Sequence, residues 1–123
     1  MAHFTIAVLS YDRDEVDMLV APYDDSLEVA VWRGDDGSLW WENPNGKFDW
    51  YEIGYGYVRE WAIENFGFVS GKVKDLKTLN FDEVYAFILP DGSWVDHSDM
   101  MREGLLDKHL AGDLTITFVN CHC

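Results

Sequence analysis

The chain has 123 residues, 48% of them hydrophobic, enough for one domain with a real core. A formal net charge of −14, from 23 acidic and nine basic residues, argues against direct nucleic-acid binding, because the phosphates would be repelled. No apolar run reaches about 18 residues, so no membrane-spanning helix is expected, and cysteines only at 121 and 123 frame no disulfide scaffold.

The opening His3-Phe4-Thr5-Ile6-Ala7-Val8-Leu9 lacks a basic lead and reads as a central strand over 3–10 rather than a signal peptide, so a cytoplasmic location is expected. Asp12 with Glu15 resembles a capping box, and Val16, Leu19 and Val20 share a face, which predicts a helix over 13–21 ending before Pro22. Leu27 to Arg33 alternates as a half-buried strand. Asp35-Asp36-Gly37-Ser38 turns the chain into an aromatic arm. There, strands over 38–42 and 47–53 flank the turn residues Asn43-Pro44-Asn45-Gly46 and predict a hairpin.

Beyond the arm, Val58, Trp61, Ala62 and Phe66 have helical spacing, and Gly67 suits a helix end, so 57–65 reads as a short helix with strand as the alternative. Residues 72–80 read as irregular or a short helical turn. Val84 to Leu89 reads as an apolar strand, Pro90-Asp91-Gly92-Ser93 as a tight turn, and 94–97 as the returning strand. Ser98 or Asp99 caps a helix over 99–111 with Met101, Leu105, Leu106 and Leu110 inward, and a strand over 114–121 closes the chain. This order predicts a single α+β domain over 1–123. The expected arrangement is a ferredoxin-like split β-α-β sandwich: an antiparallel sheet, two main helices on one face, the last strand beside the first, and the aromatic-rich hairpin arm inserted within about 37–80.

Three constellations bear on function. Carboxylates concentrate in the first half, where residues 1–66 carry 14 acids and four bases. Asp12, Asp14, Glu15, Asp17, Asp24, Asp25, Asp35 and Asp36 are the candidate acidic face, which would meet a basic groove meant for phosphates, while the bland reading is a solvated face with a capped helix. Trp40, Trp41, Trp50, Tyr51 and Tyr55 form the aromatic arm, either core or an apolar contact surface. His3, Cys121, His122 and Cys123 are the candidate metal ligands if first and last strands pair, although alternation puts both cysteines on one face and His122 on the other. Asp96, His97 and Asp99 offer an acid–base pair without a nucleophile. No phosphate loop, nucleophile elbow or spaced cysteine pairs occur, so no enzyme and no cofactor are expected.

The stretch from Asn43 to Tyr57 resembles the signature of a family of small bacteriophage and prophage proteins, which runs Asn-Pro-x-x-Lys-Trp-Asp-Trp-Tyr-x-Ile-Gly-Gly-Arg-Trp. Asn43, Pro44, Lys47, Asp49, Trp50, Tyr51, Ile53 and Gly54 match it, and Tyr55-Gly56-Tyr57 departs from it. The opening His3–Val8, the Ala21-Pro22-Tyr23-Asp24 turn and the closing Thr115–His122 are also similar. The resemblance implies a phage context and supplies no chemistry. The expected function is binding of a host protein with a basic nucleic-acid-binding groove, as a DNA-mimicking inhibitor of a defence system such as CRISPR. Two alternatives stand beside it. One is a metal- or small-molecule-binding module using the aromatic pocket and the Cys/His terminus; the other is a virion or assembly component.

Overall fold

A computed structural model describes residues 3–23, 30–33, 39–42, 46–48, 50–53, 56–102 and 113–122, with the backbone alone at 30–33, 39–42, 50, 56 and 57. It is an α+β fold built on a mixed six-stranded sheet. The long strands β1 (His3–Ser10) and β8 (Thr115–His122) pair antiparallel along their whole length, from His3 opposite His122 to Ser10 opposite Thr115. On the far side of β1 lies β6 (Ala86–Ile88), then β7 (Trp94–Asp96). The far edge of β8 is shared by two short strands, β4 (Trp50–Ile53) against 119–122 and β5 (Ser70–Lys72) against 115–117. A separate two-stranded sheet joins β2 (Ala30–Arg33) to β3 (Leu39–Glu42).

Both faces of the sheet are apolar, and this dictates where the helices go. Every residue from Thr5 to Ser10 and from Thr115 to His122 is buried. Ile6 and Val8 pack on one side with Ala86, Ile88, Val119 and Cys121, covered by Val16, Leu19 and Val20 of α1 (Val16–Val20) and by Phe48. Ala7 and Leu9 pack on the other with Phe87, Ile116 and Phe118. Their cover is Val58, Ala62 and Phe66 of α2 (Gly56–Phe66) and Met100 of α3 (His97–Arg102). Strands that are apolar on both sides need a layer on each side. The Phe66 ring stacks on Phe118 with centroids 4.4 Å apart and on Phe81 at 5.3 Å, which anchors α2.

Several expectations need correction. The sheet is not wholly antiparallel: β1 and β6 run parallel, with Ile6 opposite Ala86, so a ferredoxin-like split arrangement is not confirmed. The helices do not share one face, because α1 lies opposite α2 and α3. The hairpin arm is not a hairpin. Residues 39–42 pair with 30–33, setting Trp40 opposite Trp32, while 50–53 join β8 in the main sheet. Nor is the stretch beyond the arm a mere insertion. The chain leaves β8 after β4, lays α2 over the apolar face and returns to the same edge as β5. Local turn chemistry competed here with the open edge of a buried strand, and the edge prevailed.

The segment 57–65 is helix, ended by Gly67 at φ 96° with its N–H bonded to the carbonyls of Ala62 and Ile63. Gly92 takes φ 91° in the predicted turn between β6 and β7. In α3, which begins at His97, Met100 is fully buried and Met101 is 39% exposed, so the expected phase was one residue off; Leu105, Leu106 and Leu110 lie outside the described residues. Strand β5 has no β-rich sequence. Its Gly71 is held by packing, since a Cβ there would stand 2.9 Å from the Phe68 ring.

Candidate functional site

Two surfaces collect functional chemistry, and they lie at different parts of the sheet. The first is the acidic segment after β1. Asp12 is extended, accepts the Asp14 N–H on Oδ1 at 3.0 Å and starts the helical turn at 13–15. The capping bond thus falls on Asp14, while the Glu15 N–H reaches the Asp12 carbonyl at 3.1 Å. Burying Val16, Leu19 and Val20 against the sheet turns the rest of this short segment outward. Asp12, Asp14 and Asp17 are exposed, and so are the large apolar side chains of Tyr11 (71%) and Met18 (66%).

Tyr51 of β4 donates its hydroxyl to Asp17 at 3.1 Å, joining the aromatic block to the acidic segment. Arg13, Asp14, Val16, Asp17 and Ile53 line a shallow cavity of about 240 Å³ along that seam. Of the predicted acidic face, Asp12, Asp14, Glu15 and Asp17 therefore come together. Asp24, Asp25, Asp35 and Asp36 lie outside the described residues, as does Tyr55; Trp40, Trp41 and Trp50 are placed by backbone only. Tyr11 and Met18 were not singled out in the sequence. Their signal was an apolar residue on the polar side of an otherwise amphipathic pattern.

The second surface is the end of the sheet where β1 begins and β8 finishes. Under α2 the sheet face is apolar, but alternation then places His3 and Thr5 of β1, Asn120 and His122 of β8, and Glu52 of β4 on that same face. Asn120 and His122 are only 1% and 4% exposed. His122 Nε2 stands 3.1 Å from Glu52 Oε1 and 3.0 Å from Asn120 Nδ2, and Asn120 Nδ2 donates to Glu52 at 3.2 Å. With its proton on Nε2, His122 donates to Glu52; with the proton on Nδ1, Nε2 accepts from Asn120. The His3 ring sits edge-on to His122 with centroids 4.0 Å apart. Asn120 Oδ1 is buried without a hydrogen-bond partner among the described residues, which is a cost in a structure held only for stability.

His3 and Thr5 also line a cavity of about 360 Å³, with Phe4, Trp61, Asp82, Glu83, Val84 and Tyr85 as its other walls. A second cavity of about 380 Å³ shares Trp61, Asp82 and Glu83 and continues past Phe66 to Asn65, Thr78 and Asn80. The shared wall is fixed by the Trp61 indole, which donates Nε1–H to Glu83 at 2.5 Å and packs against Phe118 at 5.8 Å. Glu52, Asn120, Trp61 and Glu83 were not among the predicted site residues. The pairing that assembles them is non-local, and no local pattern marks it.

The candidate metal ligands do not gather into a cluster among the described residues. His3 and His122 do meet, but Cys121 points to the opposite face and is buried against the α1 side; Cys123 lies outside the described residues. No group of three or more His, Cys, Asp or Glu is placed to hold a metal among them. Near α3, Asp96 accepts from Trp94 Nε1 at 3.0 Å and Asp99 pairs with Arg102 at 2.7 Å, while His97 stacks on Phe87. These are the contacts found at the residues where an acid–base pair was considered. No described helix is long and apolar enough to cross a membrane.

Compared with known proteins, the chain significantly matches no family model, no curated protein and no solved structure.

Proposed function

We propose that this protein acts by binding a basic protein partner through the acidic segment 11–18, as a small phage or prophage protein that occupies a nucleic-acid-binding groove of a host defence system in the cytoplasm. The observation that carries the reading is the interleaving of exposed Asp12, Asp14 and Asp17 with exposed Tyr11 and Met18 on one short segment. Carboxylates held on a rigid scaffold raise the encounter rate with a positive groove, and apolar side chains among them supply the contact area that charge alone lacks. The net charge of −14 extends the same field over the molecule. The phage context comes from the resemblance of the 43–57 stretch, and the defence system as target is inferred from that context together with the negative charge.

The test is capture of partners from a bacterial host lysate, followed by association kinetics at rising salt. A partner with a basic groove, bound with an association rate that falls steeply with salt and falls again in a triple Asp12→Asn, Asp14→Asn, Asp17→Asn variant, is expected. Salt-insensitive association, or a partner without a basic groove, would sink the proposal.

A further inference from the structure

The paired cavities beside Trp61 form a trough with a definite chemical preference. Its first half is lined by the aromatic residues Phe4, Tyr85 and Trp61, by Asp82 and Glu83, and by His3. Among the described residues, no lysine or arginine lines either half. Phe4 and Tyr85 stand with ring centroids 4.8 Å apart, and Tyr85 remains 58% exposed, a large aromatic surface turned to solvent. Aromatic faces beside a carboxylate are the combination that receives an organic cation: the rings offer their negative faces and the carboxylate a charged acceptor.

The walls are held in place before any ligand arrives. Trp61 is fixed by Glu83 and by the Phe66 and Phe118 rings. His3 is backed by His122, which Glu52 and Asn120 hold in turn. Tyr85 is tied through its backbone N–H to the Thr5 carbonyl at 2.8 Å and through its carbonyl to the His97 N–H at 3.0 Å. Ordering that is already complete in the free protein does not have to be supplied on binding.

The second half of the trough differs. Asn65, Thr78 and Asn80 give it neutral hydrogen-bonding side chains, suited to the polar groups of a peptide backbone. Two cavities of about 360 and 380 Å³ that share Trp61, Asp82 and Glu83 give an extended segment room on both sides of those residues.

We infer that this trough binds an extended peptide segment of a partner protein, with an arginine side chain seated between Tyr85, Trp61 and Glu83. Arginine is favoured over lysine because its planar fork can meet Glu83 while its face lies on an aromatic ring. The site is separate from Asp12, Asp14 and Asp17 and does not require the partner proposed for them.

The probe is a capped Gly-Ser peptide with one central arginine, titrated into the full chain while the Trp61 indole N–H and Tyr85 amide resonances are followed by NMR. The expected result is a saturable shift of both resonances, weakened about tenfold or more when citrulline replaces arginine, and by a similar factor in a Glu83→Gln variant, since a charge-assisted bond is removed in each case. Tyr85→Ser, at an exposed position, should weaken binding without unfolding the protein, as the unchanged amide spectrum would verify. A peptide that never saturates, or a citrulline peptide that binds equally well, overturns the inference. So does binding that survives Glu83→Gln but is lost when Asp14 and Asp17 become Asn, which would assign it to the acidic segment instead.

Discussion

The two halves of the β1–β8 pair make different use of the same backbone. Toward one end, Ala7, Leu9, Ile116 and Phe118 face α2 and build core; toward the other, His3, Thr5, Asn120 and His122 occupy the same face of the same strands. Strand geometry is common to both, so the difference lies wholly in the side chains and in what covers them. The apolar half is closed by Val58, Ala62 and Phe66, whereas the polar half opens at His3 into the cavity beside Trp61. The face changes from hydrocarbon to hydrogen-bonding groups along one pair of strands, with Asn120 and His122 buried and His3 exposed beside the cavity.

The largest effect should come from the apolar half. Phe118→Ala removes the ring on which Phe66 stacks and against which Trp61 packs edge-on, and a loss of about 3–5 kcal/mol in denaturant unfolding is expected. In the polar half, His122→Ala should cost about 1–3 kcal/mol, because Glu52 and Asn120 lose a partner that they share. The comparison is sharpened by replacing Asn120 and His122 together with leucine. If the polar groups are not there for stability, the double variant should unfold at a denaturant concentration no lower than the natural protein's. A double variant less stable than His122→Ala would break the contrast and make the cluster structural.

A smaller effect is expected outside the strand pair. Asp12→Ala removes the cap on the Asp14 N–H and should cost about 1 kcal/mol of stability, measured in the same way.

The smallest effect concerns alkali. Burial first, and the nearby Asp91 carboxylate second, raise the Tyr23 hydroxyl above its ordinary 10.0, while a backbone hydrogen bond at Trp94 draws it back. Its raised value means that the folded state favours the neutral phenol. That contribution is fully present below about pH 10 and is lost as pH rises through the folded value. The Tyr23 hydroxyl also donates to the Gly92 carbonyl. Tyr23→Phe should therefore be slightly less stable at neutral pH and should lose part of the stability decline above about pH 10, as read from melting curves across that range.

Much of the scaffold was legible because local pattern and tertiary packing agree there. The runs at 3–10 and 114–121 carry apolar residues on both faces and became the paired centre; Val58, Ala62 and Phe66 fell on one helical face; Gly67 and Gly92 took the positive φ their positions required. That pairing also brought His3 to His122, as the sequence reading expected. Where pairing is decided at a distance, the pattern misled. Nothing near Trp50 says that its strand joins β8 rather than 38–42, and nothing in Ala86-Phe87-Ile88 says that it runs parallel to β1. Glu52 was unreadable for the same reason: its part depends on lying opposite Asn120, 68 positions away. Met100 and Met101 differ by one position, and the helix beginning at His97 decided between them.

The placement of β8 carries a consequence for biosynthesis. It follows every other described strand in chain order, yet it lies inside the sheet, bonded to β1 on one edge and to β4 and β5 on the other. Until residues 115–122 have been made, His3–Ser10 has no antiparallel neighbour and the two short outer strands have nothing to join. The nascent polypeptide must therefore hold its oily surfaces unsatisfied until residues 115–122 emerge from the exit tunnel. Shielding by chaperones would matter most in that interval, and a translation product stopped before Thr115 should be cleared rather than accumulate.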